Sequence, residues 1–178
     1  MPLVFVLGVP GTGKTAVCDE LKRRGYLARD TDGDNFSGWR STATGEDGPY
    51  HVGPEERDEA FNQEFEWITD VDKVAALVAE ADAAGTTAFL FGSSSNEHEI
   101  WPFAKLVICL AVDDDTLRHR LTTRANNDYG KNDLELKWCL EWNAVVPSET
   151  ARYGATIVDA TPPIDVVADE VLRLSESL

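Results

Sequence analysis

Apolar positions fall into five short runs, 3–7, 26–30, 87–91, 106–112 and 156–158, each rich in Val, Ile, Leu, Phe or Tyr. Between them apolar residues recur every three or four positions, the helical period. Strands that read as continuous apolar runs are buried on both faces, so this alternation predicts an α/β fold with a parallel sheet covered by helices on both sides. The predicted helices are 16–24, stopped at Gly25; 55–67, opened by Pro54; 70–84, capped by Asp70 or Thr69 and stopped at Gly85. A short helix at 97–101 follows, then 116–124 behind the Asp113-Asp114-Asp115 cap, 133–153 interrupted by Pro147, and 163–174. The stretch 44–53 (TGEDGPYHVG) is a loop by composition.

The 178 residues, 43% hydrophobic, suffice for one sizeable core, and no Pro/Gly/Ser-rich linker divides them, so residues 1–178 are expected to form a single domain. Thirty-two acidic residues against 16 basic ones give a net charge of −16, which repels nucleic acid and anionic membrane surfaces. Any phosphorylated ligand must then rely on local positive groups. Cys18, Cys109 and Cys139 are odd in number and sit in apolar patterns, the expectation for reduced core thiols in a cytoplasmic protein. The N-terminal apolar run is too short for a signal peptide, and no segment reaches the length of a membrane span.

The first run leads directly into Gly8-Val9-Pro10-Gly11-Thr12-Gly13-Lys14-Thr15, a phosphate-binding loop. Such a loop needs bare backbone because successive N–H groups close around phosphate oxygens. Lys14 is then placed to reach the β- and γ-phosphates of ATP, Thr15 to put its hydroxyl on Mg²⁺, and the helix start to offer its positive dipole end. Strand before and helix after are the context that gives the motif its meaning.

This loop follows the first strand, and few strands come after it. The chain therefore resembles the small P-loop kinases, the nucleoside monophosphate kinase, shikimate kinase and gluconate kinase group. The resemblance runs end to end, with the phosphate loop its specific part. It implies a three-layer α/β/α fold with a five-stranded parallel sheet in the order 2-3-1-4-5, an acceptor-binding segment at about 33–69 and a short lid at about 124–133.

The second run ends in Arg29-Asp30-Thr31-Asp32-Gly33-Asp34, three alternating carboxylates at the sheet edge where ligands bind. Repulsion among them calls for a cation or a shared proton. They resemble the Asp-x-Asp signature of shikimate-type kinases, which implies one carboxylate near Mg²⁺ and one receiving the proton of the attacking hydroxyl. Asp30 with Asp32 and Asp32 with Asp34 both fit. Asp32 belongs to both and is taken as base and metal-side residue, with Asp30 and Asp34 as acceptor-side candidates.

The third run ends in Gly92-Ser93-Ser94-Ser95-Asn96 with no acid at its end, again resembling the shikimate-type pattern. Gly92 is expected to admit a close substrate, with Ser93, Ser94 and Asn96 as donors, although the same residues also suit a helix cap. After the fourth run, Arg120 and Arg124 lie one helical turn apart. The resemblance implies that they grip the transferring phosphoryl group. It also places Thr161-Pro162 in the loop around the adenine ring. Trp39, Arg40 and Arg57 are the remaining acceptor candidates.

These residues predict an ATP- and Mg²⁺-dependent kinase acting on a small molecule. A nucleoside monophosphate would bring a dianion beside Asp30, Asp32, Asp34, Glu97 and Glu99 with only Arg40 and Arg57 to compensate. A hydroxyl on a nucleoside, sugar or aminoglycoside is the favoured acceptor and the monophosphate the alternative. An ATPase or switch that controls a partner protein is the competing class.

Overall fold

The computed structural model describes residues 2–125 and 127–178; Asn126, in the expected lid, lies outside the described residues. Strand β1 (Leu3–Leu7) is buried along its whole length because it is central, with parallel neighbours on both sides. The sheet is completed by β2 (Leu27–Asp30), β5 (Ala88–Phe91), β6 (Ala104–Ala111) and β7 (Thr156–Asp159). Its order is β2-β5-β1-β6-β7, all parallel, which is the expected 2-3-1-4-5 once strands outside the sheet are set aside.

Alternation along the strands sorts the core into two layers. Val4, Val6, Phe89, Phe91, Ile108 and Leu110 face one side and pack with residues of α1 (Lys14–Arg23), α5 (Asp114–Thr123) and α7 (Ile164–Ser175). Leu3, Phe5, Leu7, Leu90, Val107 and Cys109 face the other, against Val74, Leu77 and Ala81 of α3 (Val71–Ala84) and Ile100. Each of these large side chains contributes roughly 1.5–3 kcal/mol by leaving water. Asp70 caps α3 by accepting from the Asp72 and Lys73 amides, and Gly85 ends it in the left-handed region.

Two expectations fail here. The helix predicted over 55–67 is instead a 3₁₀ turn (Pro54–Glu56), a six-residue helix α2 (Glu59–Glu64) and a strand β4 (Phe65–Thr69). Strand β4 pairs antiparallel with β3 (Ser37–Ser41) in a separate two-stranded ribbon, Trp39 opposite Trp67. The alternation Phe65-Glu66-Trp67-Ile68-Thr69 carries the strand, and cross-strand aromatic packing overrides the helical reading. The helix predicted to break at Pro147 instead runs unbroken as α6 (Asp133–Arg152), because one proline in twenty residues removes a single backbone donor while tertiary packing holds the rest. All three cysteines are buried and free, with burial raising the Cys18 and Cys139 thiols to about 12. Among the described residues no helix is long and apolar enough to cross a membrane.

Candidate active site

Helix α1 begins at Gly13, whose φ of 101° turns the chain into the helix without a side-chain cap and with no acid in the first turn. Its first N–H groups are thereby left for an external anion, and the dipole adds to the attraction. Gly8 is bare for a different reason: a Cβ there would stand 2.6 Å from the Leu110 carbonyl oxygen and 2.8 Å from Thr12 Oγ1. Lys14 folds back along the loop and donates from Nζ to the Gly8 carbonyl (2.5 Å) and the Val9 carbonyl (3.1 Å). Burial lowers its pKa, while Asp32, then Asp30 and Glu97, favour its charged form.

The three carboxylates after β2 divide their work. Asp30 Oδ1 accepts from the backbone N–H of Asp32 (2.9 Å) and of Gly33 (3.0 Å), folding the turn. Asp34 Oδ2 accepts from the Asp30 N–H and from Lys22 Nζ, both at 2.7 Å, and so belongs to the α1 side. Asp32 alone turns to the ribbon. Its Oδ1 accepts from Trp67 Nε1 (3.1 Å) and Thr31 Oγ1 (3.2 Å), and no described residue donates to Oδ2. Dense protein around the carboxyl on its inner side, and then the nearby Asp30, raise its pKa. The turn after β2 therefore presents an exposed carboxylate of raised pKa, fixed through one oxygen and open at the other.

The sequence assigns Trp67 no role of its own, and the signal that could have found it is the period-two pattern of β4. Trp39 packs edge-on against Trp67 (5.1 Å) and Phe61 (4.8 Å), making an aromatic face behind the carboxylate. Arg40 falls on the opposite face of the ribbon and pairs with Asp47. Arg57 is buried elsewhere, with its guanidinium committed to Glu135 and Asp128. Neither arginine is brought to Asp32.

Gly92 is bare for packing and not for ligand approach, contrary to the sequence expectation: a Cβ would overlap the Thr31 side chain and lie 2.7 Å from Thr31 Cβ. Ser93 Oγ braces the phosphate loop by donating to the Gly8 carbonyl (2.7 Å). Ser94 Oγ donates to Asn96 Oδ1, and Asn96 in turn clamps the Thr69 backbone from both sides. Sequence reasoning passed over Glu97 as a site residue. Burial raises its pKa, the Ser94 backbone N–H opposes this by donating to it, and it acts electrostatically on Lys14.

Arg120 and Arg124, expected on one helical face, part company. Helix α5 ends at Thr123, and Arg124 is already extended (φ −62°, ψ 143°), so the expected shared helical face is lost. Arg120 spans the phosphate loop and the segment before α7, donating from Nη1 to the Thr12 carbonyl (3.2 Å) and from Nη2 to those of Ala160 (2.9 Å) and Thr161 (3.4 Å). Arg124 donates from Nη2 to the Tyr129 carbonyl, while its buried Nε has no partner among the described residues. Burial lowers its pKa, and Asp32 is among the anions that oppose this. Leu121, fully buried, packs between the phosphate loop and the segment around Gly130: its Cδ2 lies 3.0 Å from where a Cβ on Gly11 would stand and 2.9 Å from one on Gly130.

A family model described as an AAA domain matches residues 4–138. The chain belongs to this family. No curated protein matches the sequence. Among solved structures, shikimate kinase from Acinetobacter baumannii in complex with shikimate superposes with a TM-score of 0.59 at 16% identity, over 99% of this chain and 94% of that one. A sugar kinase from Janibacter sp. HTCC2649 gives 0.56 at 17%, over 99% and 95%. Deoxyadenosine kinase from M. mycoides with bound dATP gives 0.54 at 12%, over 98% and 99%. At these identities the likeness is one of fold, and the fold of this AAA-domain chain is that of the small P-loop kinases.

The residues suit a nucleotide and a divalent ion. An uncapped helix start, the Lys14 ammonium and an unpartnered buried Arg124 Nε are complementary to polyphosphate. Among the described residues no group of three or more His, Cys, Asp or Glu could hold a metal. Thr15 and Asp32 suit Mg²⁺, which takes few protein ligands and completes its shell with water and phosphate oxygens.

Proposed function

We propose that this chain is a cytoplasmic, Mg²⁺-dependent phosphotransferase that moves the γ-phosphoryl group of ATP to a hydroxyl of a small acceptor. The observation that carries the reading is Asp32, held through Oδ1 by Trp67 and Thr31 with Oδ2 open, electrostatically coupled to Lys14. Oδ2 is open to receive the proton of an acceptor hydroxyl, and the raised pKa makes it a stronger base than an ordinary aspartate. Lys14 gives up its two carbonyl partners to hold phosphate oxygens, and Arg124 meets charge on the transferring group. Thr15 and Asp32 would hold Mg²⁺, which when bound would supply neutralisation of the phosphate charge. Arg120, Thr161 and Pro162 line the side given to the base of the nucleotide. The aromatic face of the ribbon is the wall for the acceptor.

With Arg40 and Arg57 both engaged in ion pairs away from Asp32, a phosphorylated acceptor lacks its counter-charges, which favours a hydroxyl compound over a monophosphate. Glu97 favours a second reading, ATP hydrolysis in the service of a partner protein, because it offers a carboxylate beside Lys14 that could orient water. A screen for ADP release over nucleosides, sugars, aminoglycosides and nucleoside monophosphates separates the three. A hydroxyl compound that raises turnover far above the rate without acceptor supports the proposal. Response to monophosphates alone, or full hydrolysis with no acceptor, refutes it.

A further inference from the structure

The residues that tie Arg57 down form a connection between the acceptor ribbon and the lid. Arg57 is 8% exposed and Glu135, in the first turn of α6, is 0% exposed. Arg57 Nε donates to Glu135 Oε1 (2.7 Å), Nη1 to the Val52 carbonyl (2.8 Å) and Nη2 to Asp128 Oδ1 (3.1 Å). Glu135 Oε2 accepts from the Gly130 N–H (2.7 Å), so one carboxylate holds both the chain leading into the ribbon and the lid backbone. The Arg57 guanidinium also lies over the Tyr129 ring, 5.4 Å from its centroid. The Tyr129 carbonyl in turn accepts from Arg124.

A buried Arg–Glu pair is weak as a source of net stability, because desolvation offsets most of its attraction; its best-attested use is to fix one arrangement against others. Here it fixes a chain of contacts running from segment 52–57 through Tyr129 to Arg124, the arginine that electrostatically senses Asp32. We propose that Arg57 and Glu135 are positioning residues that orient Arg124 through Tyr129 and make the acceptor ribbon and the lid move as one. Filling the acceptor wall then orders the phosphoryl side, and a nucleotide reciprocally favours acceptor binding. This deepens the kinase reading, on which its catalytic half rests.

The test has an arm that needs no substrate. Gln at position 135 keeps one acceptor oxygen and presents an amide N–H to either Arg57 or Gly130, so one side of the junction is released. Lys at position 57 keeps the charge and loses the fork that reaches Val52 and Asp128. Hydrogen exchange at residues 127–131 should quicken by about tenfold or more in both Glu135→Gln and Arg57→Lys, with the rest of the sheet protected as in the wild type. Unchanged exchange at 127–131 in folded Arg57→Lys would show that Arg57 merely braces its own loop, and would overturn the proposal whatever the protein's activity. In the second arm, Glu135→Gln should lower turnover by about tenfold or more at nearly unchanged ADP affinity. In the Arg124→Ala background it should cost little further, since both changes break one path. Independent, multiplying losses would overturn the link through Arg124. Absence of transfer to any acceptor would count against the kinase reading alone, and the exchange arm would still decide the junction.

Discussion

Replacing Asp32 with asparagine separates two consequences of its carboxyl. Asparagine keeps an oxygen at Oδ1, so the bonds from Trp67 Nε1 (3.1 Å) and Thr31 Oγ1 (3.2 Å) survive, while the charge and the basic Oδ2 are lost. If Oδ2 receives the acceptor proton, turnover falls by at least about a hundredfold, or about 2.7 kcal/mol of barrier. Stability should move the other way. Protein packed on one side of the exposed Asp32, and then Asp30, hold its folded-state pKa above its unfolded value, so the wild-type carboxyl favours folding in acid and loses that contribution as pH rises through the folded pKa. The asparagine variant therefore gains over the wild type near neutrality and not in acid. Asp32 is exposed to solvent, which screens its charge, so the gain is small and the variant should melt at or slightly above the wild type at the higher pH. Loss of Asp32 as a counter-charge to Lys14 subtracts from this, but Asp30 and Glu97 remain to oppose the burial of that lysine. Coupled ADP-release assays and thermal melts at roughly pH 4 and pH 8 read both effects. A variant within tenfold of wild-type turnover, or less stable than wild type at the higher pH, would refute the assignment.

Lys14→Ala should abolish nucleotide turnover and weaken ADP binding by about 10- to 150-fold, the worth of one charge-assisted hydrogen bond, with a cooperative melt retained; calorimetric titration checks it. Arg124→Ala should reduce turnover much more than ADP affinity, whereas Arg120→Ala, which unties Thr12 from Ala160, should weaken ADP binding as well; titration beside steady-state rates distinguishes them. Gly92→Ala forces a methyl into Thr31 and should cost about 1–3 kcal/mol, seen as a lower melting temperature. Gly38→Ala, where a Cβ meets nothing within 4 Å, is the control and should melt nearly as the wild type.

The phosphate loop and the sheet were legible because local pattern dictates both. Five apolar runs became five parallel strands, and the Gly-Lys-Thr turn opened a helix where its spacing required. The ribbon was not legible. Strand β3, Ser37-Gly38-Trp39-Arg40-Ser41, has little intrinsic strand signal and exists because Trp39 meets Trp67, a contact set by chain folding over 28 residues. Misreading residues 65–67 as the end of a helix hid the donor to Asp32. Arg57 read as a free cation for the same reason: nothing near it in sequence announces Glu135, 78 positions away. Asp30 and Asp34 stood beside Asp32 as acceptor-side candidates, and only the turn geometry shows that backbone amides and Lys22 occupy them.

Leu121 imposes a constraint on how this chain can change over generations. A residue shortened at 121 would leave a void between the phosphate loop and the segment around Gly130, and in an ordinary core a neighbour enlarged by a methyl would refill it. The neighbours here are Gly11 and Gly130, with φ of 94° and 87°, where any side chain adds strain of about 1–2 kcal/mol. The compensating exchange is therefore closed at both glycines, and a mutation at 121 finds its second-site remedy only among the other core residues packed around it. At these two positions the backbone of the loop would have to be rebuilt before a side chain could replace what the leucine supplies.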